Sequence, residues 1–166
     1  MGEHEPDFGP VHLGFWTGTA FVPCLGDWFK FQLQCEHDDE YEEPGPIMLS
    51  LLRAVLDRRE DFRPTLEAAI YRYYMREAFW DKIDYGMDDY GRDWAETLAP
   101  RDVAQGDIWR LLRDAQVGIS SGDNDAERVK FDVTFTPTWE EEHGLQIEVE
   151  RWTIVGIGPY GCCEPP

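Results

Sequence analysis

The chain of 166 residues carries 15 Lys and Arg against 34 Asp and Glu, a formal charge of −19 at pH 7 with an isoelectric point near 4.4. Such a field repels phosphate backbones, because sequence-independent affinity for nucleic acid rests on cationic contacts and counterion release; no nucleic-acid partner is expected, and a basic protein would be steered inward instead. No apolar run approaches the roughly 20 residues of a membrane helix, and the length suits one domain that buries a core without disulfide staples. The sequence is therefore read as a single cytoplasmic domain over 1–166, with no membrane partner and no cofactor.

Within it the ordered core is expected over about 11–158, between an acidic N-terminal tail and a Gly/Pro/Cys-rich C-terminal tail. The opening MGEHEPDFGP lacks the basic and then apolar regions of a secretory signal. Val11 to Cys35 reads as a hairpin. Trp16, Gly18, Ala20 and Val22 share one face of the outgoing strand, and Phe29, Phe31, Leu33 and Cys35 alternate with Lys30, Gln32 and Gln34 on the return. The turn lies in Pro23 to Asp27. Glu36 to Glu43, a block of like charges closed by Pro44-Gly45-Pro46, is predicted to be a solvated loop.

From Pro46 the period changes. Met48, Leu51, Leu52, Val55 and Leu56 form the stripe of an amphipathic helix, with Pro46 in its first turn. Leu66, Ala69, Ile70, Tyr73 and Tyr74 repeat the spacing after Pro64 and predict a second helix running to about Trp80. The short connection implies an antiparallel helical pair. Asp81 to Asp93 has no period and predicts an exposed loop; Pro100 to Asp114 predicts a short helix bearing Val103, Ile108, Trp109, Leu111 and Leu112. Gln116 to Ser120 suits a short strand, and Ser121 to Glu127 a turn-rich loop.

The remaining pattern organises the chain. Val129, Phe131, Val133 and Phe135 alternate with Lys130, Asp132, Thr134 and Thr136, and Leu145, Ile147 and Val149 alternate with Gln146, Glu148 and Glu150. Pro137 to Gly144 reverses the chain between them, since Pro137 cannot donate to a ladder and Gly144 can take a positive φ. Thr153 to Ile157 follows Arg151-Trp152 and completes a meander. The expected fold is α+β: an antiparallel sheet, built from the N-terminal hairpin and the C-terminal meander, packed on one face by the helical pair.

The four cysteines, Cys24, Cys35, Cys162 and Cys163, show no metal-ligand spacing. Cys24 lies beside the first turn and Cys35 far along its strand, so they are not expected to bridge; each thiol reads as a small buried hydrophobe or a free thiol. The densest polar cluster is Trp139, Glu140, Glu141, Glu142, His143 and Gly144. Carboxylates and an imidazole are metal ligands and acid–base groups, so this loop is where a small metal-dependent hydrolase would be built. Successive residues of an extended loop point in different directions, however, and HExxH, GxSxG, P-loop and GxGxxG patterns are all missing from the chain. The preferred expectation is structural: Trp139 packs beneath the turn and His143 hydrogen-bonds within it. Catalytic, cofactor and metal residues are accordingly assigned to none.

The order of a Trp-containing hairpin, two helices, a short IWRLL helix and F-x-V-x-F-x(3)-WEEEHGLQI resembles an uncharacterised family of bacterial domains of unknown function. Its members similarly end in a W-(D/E)-E-E-H-G-(L/I) hairpin, here Trp139 to Leu145, and the likeness spans most of Leu13 to Gly158. Relatives often have Gly in the last hairpin turn, where this chain has Arg151-Trp152. The resemblance implies an α+β fold with no established activity, similar in style to small immunity or accessory proteins.

The leading functional expectation is an acidic binding protein, of immunity type, that masks a basic protein partner. Its candidate contacts are Asp38, Asp39, Glu40, Tyr41, Glu42 and Glu43, with Asp84, Tyr85, Asp88, Asp89 and Tyr90, where aromatic rings stand among carboxylates and suit Arg or Lys. The alternatives are the Glu140–His143 hydrolase and a structural or accessory subunit, which would expose a large apolar patch.

Overall fold

The computed structural model describes residues 9–12, 15–34, 44–78, 98–100, 102–120 and 129–166. Among these residues seven strands form one sheet in chain order: β1 (Gly9–His12), β2 (Phe15–Val22), β3 (Asp27–Gln34), β4 (Leu112–Ser120), β5 (Lys130–Pro137), β6 (Leu145–Glu150) and β7 (Thr153–Gly158). All neighbours are antiparallel except β3 and β4, which run parallel through Lys30↔Gln116 to Gln34↔Ser120. The expected α+β fold is thus present, a mostly antiparallel sheet of N-terminal hairpin and C-terminal meander, and the parallel junction is where the two parts join. A parallel pair needs a crossover of a dozen or more residues, and the chain between β3 and β4 contains α1 (Pro46–Asp57) and α2 (Arg63–Tyr73).

The two periods read from the sequence decide what is buried. Phe29, Phe31, Leu33, Phe131, Val133, Phe135, Leu145, Ile147 and Val149 all lie in the core, and Val129 packs partly buried at its margin. Met48, Leu51, Leu52 and Val55 of α1 and Leu66, Ala69 and Ile70 of α2 meet them from one side. The helices do so separately: α1 lies against β2 and β4, α2 against β7 and the segment preceding β4. Tyr74–Ala78 continues α2 as a π-helical turn, close to the predicted end of that helix.

Two local expectations change. The helix predicted over Pro100 to Asp114 is a 3-10 helix confined to Gln105–Leu111, and Leu112 already belongs to β4. Leu112 pairs with Pro137 of β5, and the ladder is interrupted between Arg113 and Gln116, where Asp114 takes φ 53°. A bulge of this kind inserts an unpaired residue and lets a strand begin earlier than its alternation suggests. The segment after Gly158, expected to be a tail, also folds back. Ile157 and Glu164 exchange backbone hydrogen bonds of 2.8 and 3.1 Å, and Gly161 N donates to Gln146 Oε1 at 2.8 Å.

The β2–β3 turn is built into the helical layer. Gly26 closes it with φ 66°, a conformation open to glycine at no steric cost. The carbonyl of Cys24 then accepts the backbone N–H groups of Phe62 (2.8 Å) and Arg63 (3.1 Å), two of the donors that a helix start leaves unpaired. Cys24 is a buried free thiol; Cys163 is partly buried and Cys162 exposed, both free, while Cys35 lies outside the described residues.

Glu150 pairs with Thr153, so Arg151-Trp152 is a two-residue hairpin turn with both residues at positive φ, 49° and 61°. This is the geometry that favours Asn-Gly. The Trp152 ring is held edge-on to Phe62 and Phe131, with centroids at 5.8 and 5.2 Å, and Arg58 stacks over it at 4.1 Å. Ring packing offsets backbone strain that the missing glycine would otherwise relieve. Replacing exposed Arg151 by Asn is expected to raise stability by about 0.5–1 kcal/mol in urea unfolding. Trp152→Ala is expected to lower it by on the order of 2 kcal/mol.

Candidate functional site

The Trp139–Gly144 segment lies between β5 and β6, and its side chains separate. Trp139 is buried edge-on against Tyr74, with centroids 4.8 Å apart, while the Tyr74 hydroxyl donates to the carbonyl of Pro100 at 2.5 Å. Thr138 adds a backbone donor to Leu111 O (2.8 Å) and a hydroxyl donor to Leu98 O (2.5 Å). Glu140 Oε1 accepts from His143 N (3.2 Å) and lies 3.1 Å from His143 Nδ1, closing the turn on itself. Glu141 instead pairs with Arg113 of β4, and Glu142 is exposed. Gly144 takes φ 66°, and a Cβ there would stand 3.2 Å from Phe135 O. The turn thus ties α2, the 3-10 helix and the sheet together. Among the described residues no three His, Cys, Asp or Glu side chains converge as a metal site.

The face of the sheet turned away from the helices carries a different constellation. Antiparallel register sets Asp132 directly opposite Glu148, and the row continues to Gly118 on one side and Gly156 on the other. Both glycines make room: a Cβ at Gly118 would meet the Asp132 carboxyl at 2.7 Å, and one at Gly156 would meet Glu148 Oε2 at 2.8 Å and Cys163 Cβ at 3.0 Å. Burial first, then the Glu148 carboxylate, pushes Asp132 up from 3.8 to about 6, against opposing effects from a backbone hydrogen bond and Lys130. Cys163, whose Sγ donates to Gln146 O at 3.5 Å, is pushed up to about 11 by burial and by Glu148 and Asp132. Its thiol therefore stays protonated at neutral pH and is a weak nucleophile.

At the hairpin end of the same face Phe21 and Trp28 pair across β2 and β3, edge to face with centroids 6.1 Å apart. They are 47% and 63% exposed, where large aromatic side chains ordinarily gain by burial. Lys30 and Gln32 follow Trp28 on that face, and Gln32 Oε1 accepts from Gln116 Nε2 at 2.5 Å.

Asp38, Asp39, Glu40, Tyr41, Glu42 and Glu43, and likewise Asp84, Tyr85, Asp88, Asp89 and Tyr90, lie outside the described residues, as do Trp80 and Trp94. Two features escaped the sequence reading. Trp28 was legible in principle, because the alternation that buries Phe29, Phe31 and Leu33 sends Trp28 to the other face. The Asp132–Glu148 pair was not, since it depends on strand register.

The chain belongs to the family described as Domain of unknown function (DUF6985), whose model matches residues 2–164. No curated protein and no solved structure matches it.

Because folding raises the Asp132 carboxyl above its ordinary 3.8, the folded state binds the proton more tightly than the unfolded chain. The sign follows from linkage: this contribution to stability is complete below pH 3.8 and is lost as pH rises through about 6. Asp132→Asn is expected to flatten that segment of the stability profile. It should also stabilise the fold at pH 7.5 by on the order of 2 kcal/mol, read from denaturant midpoints. In the turn, His143→Ala is expected to cost about 1 kcal/mol, one exposed hydrogen bond, whereas Trp139→Ala should cost about 3–5 kcal/mol. Thermal melts of the two variants separate these outcomes.

Proposed function

We propose that this domain is an acidic binding module that docks on a cationic protein and masks it, in the manner of an immunity-type protein, and that it does so in the cytoplasm of a bacterial cell. The observation that carries this reading is the exposed Phe21–Trp28 pair on a chain of net charge −19. Charge of one sign steers an oppositely charged partner to encounter. Exposed aromatic rings then supply what charge alone lacks, an apolar anchor that also accepts Arg or Lys against its face.

The acidic runs Asp38–Glu43 and Asp84–Tyr90 are assigned to the steering role, with Tyr41, Tyr85 and Tyr90 as further aromatic contacts. The hydrolase alternative places its chemistry on Glu140, Glu141, Glu142 and His143. In the turn Glu140 and Glu141 have different partners, His143 and Arg113, and a shared centre for acid–base work requires convergence.

The test is a low-salt pull-down from the native host, followed by kinetics on the captured protein. A basic partner is expected whose association slows as salt rises. Trp28→Ala should weaken it by about 2 kcal/mol, mainly through faster dissociation. Neutralising Asp38, Asp39, Glu40, Glu42 and Glu43 should slow association and flatten its salt dependence, with little change in melting temperature. Recovery of no specific partner, or of one whose binding ignores both sets of changes, overturns the proposal.

A further inference from the structure

A recess of about 120 Å³ opens where the β2–β3 turn, the start of α2, the 3-10 helix and the β4 bulge meet. Phe29, Phe135 and Trp109 form its apolar wall, with ring centroids 6.2 Å apart for Phe29–Phe135 and 6.0 Å for Trp109–Phe135. Arg63 also lines it, stacked 4.2 Å over Trp109 and donating through Nη1 to Leu25 O at 2.9 Å. The indole of Trp109 is itself fixed by Glu67 Oε2 at 2.7 Å.

Three arginines of this part of the molecule differ in one respect. Arg58 has Glu60 at 2.6 Å and Arg113 has Glu141, but no carboxylate of the described residues pairs with half-buried Arg63. A guanidinium holds five N–H donors, and only one of those of Arg63 has a described acceptor. Asp27 and Asp114 stand on the same recess, both exposed, and Asp114 is carried there by the bulge. Arg113 lines the recess too, but its charge is met by Glu141, so the lining presents one cationic group without a carboxylate partner among the described residues, that of Arg63, and the carboxylates of Asp27 and Asp114 around an apolar wall.

The charges restrict the ligand. A simple anion approaches against a net charge of −19, and a simple cation leaves Arg63 unanswered. A zwitterion satisfies both signs at close range and feels no net repulsion at long range. The volume is near the roughly 150 Å³ of a cavity that admits benzene and below the roughly 300 Å³ of drug-sized pockets. We propose that this recess binds a free α-amino acid with a short aliphatic side chain. Its carboxylate meets Arg63, its ammonium meets Asp27 and Asp114, and its side chain lies against Phe29 and Phe135. Nothing in this site depends on the masking of a protein partner.

The experiment titrates L-valine into the full chain and follows the Trp109 indole resonance and backbone amides by NMR. Isovalerate, which lacks the ammonium, and isobutylamine, which lacks the carboxylate, are titrated in parallel. Valine is expected to saturate below about 10 mM, and each analogue to bind at least about tenfold more weakly, the size of one lost charge-assisted hydrogen bond. Arg63→Gln should weaken valine at least about tenfold. Because Arg63 also holds the Leu25 carbonyl, the double variant Asp27→Asn with Asp114→Asn provides an independent arm. Both its positions are exposed and Asn tolerates positive φ, so it should stay folded and lose affinity for valine. No saturable change with valine, equal binding of either analogue, or a folded double variant that keeps wild-type affinity would overturn the assignment.

Discussion

The parallel seam between β3 and β4 is the constraint on which the architecture rests. Two antiparallel units, β1–β3 and β4–β7, share a single sheet here because the chain leaves β3 at one end and re-enters beside it in the same direction. That return requires a long crossover, and the crossover supplies the helices that cover the apolar face. Phe31 and Val117, paired across the seam and both fully buried, mark where the two units become one core.

The helical layer is pinned at both ends of its α1–α2 connection by an arginine stacked on a tryptophan. Arg58 ends α1 over Trp152 of the β6–β7 turn, and Arg63 begins α2 over Trp109 of the 3-10 helix. Such stacks keep a charge in contact with water while the flat guanidinium covers a ring. They also explain why Arg151-Trp152 tolerates two positive φ values without glycine: the strained residue carries the ring that the helices pack against. The WEEEHG turn works similarly at the other end of α2, where buried Trp139 meets Tyr74.

The opposite face has a different physical character. Its central row, Gly118, Asp132, Glu148 and Gly156, places two carboxylates side by side beneath the returning C-terminal segment, and the glycine on either flank leaves them room. A chain so acidic gains nothing in fold stability from such a pair, since burial and like charge both oppose ionisation. The aromatic pair at the hairpin end of that face is equally unfavourable for an isolated domain. Features that cost stability and recur on one surface are where function is best sought.

Much of the fold was legible because period-2 and period-3.6 patterns depend only on which side of an element a residue occupies. Phe29 to Leu33, Phe131 to Phe135, Leu145 to Val149 and the Met48 and Leu66 stripes declared their elements and their buried faces in this way. The short helix expected over Pro100 to Asp114 is present but shorter, because Ile108, Trp109, Leu111 and Leu112 suit a helix locally and do not mark where it stops. Only pairing of Leu112 with Pro137, and the bulge at Asp114, end the helix at Leu111 and begin the strand at Leu112. The polar motif WEEEHG was visible as a string, but the separate partners of Glu140 and Glu141 were not, because side-chain direction in a turn follows its dihedral angles. What the sequence determined by itself was periodicity, and hence the elements, their inward faces and the acidic surface. The parallel seam, the Asp132–Glu148 pairing and the Arg63 recess were decided by tertiary structure, because register and convergence arise only between segments far apart in the chain.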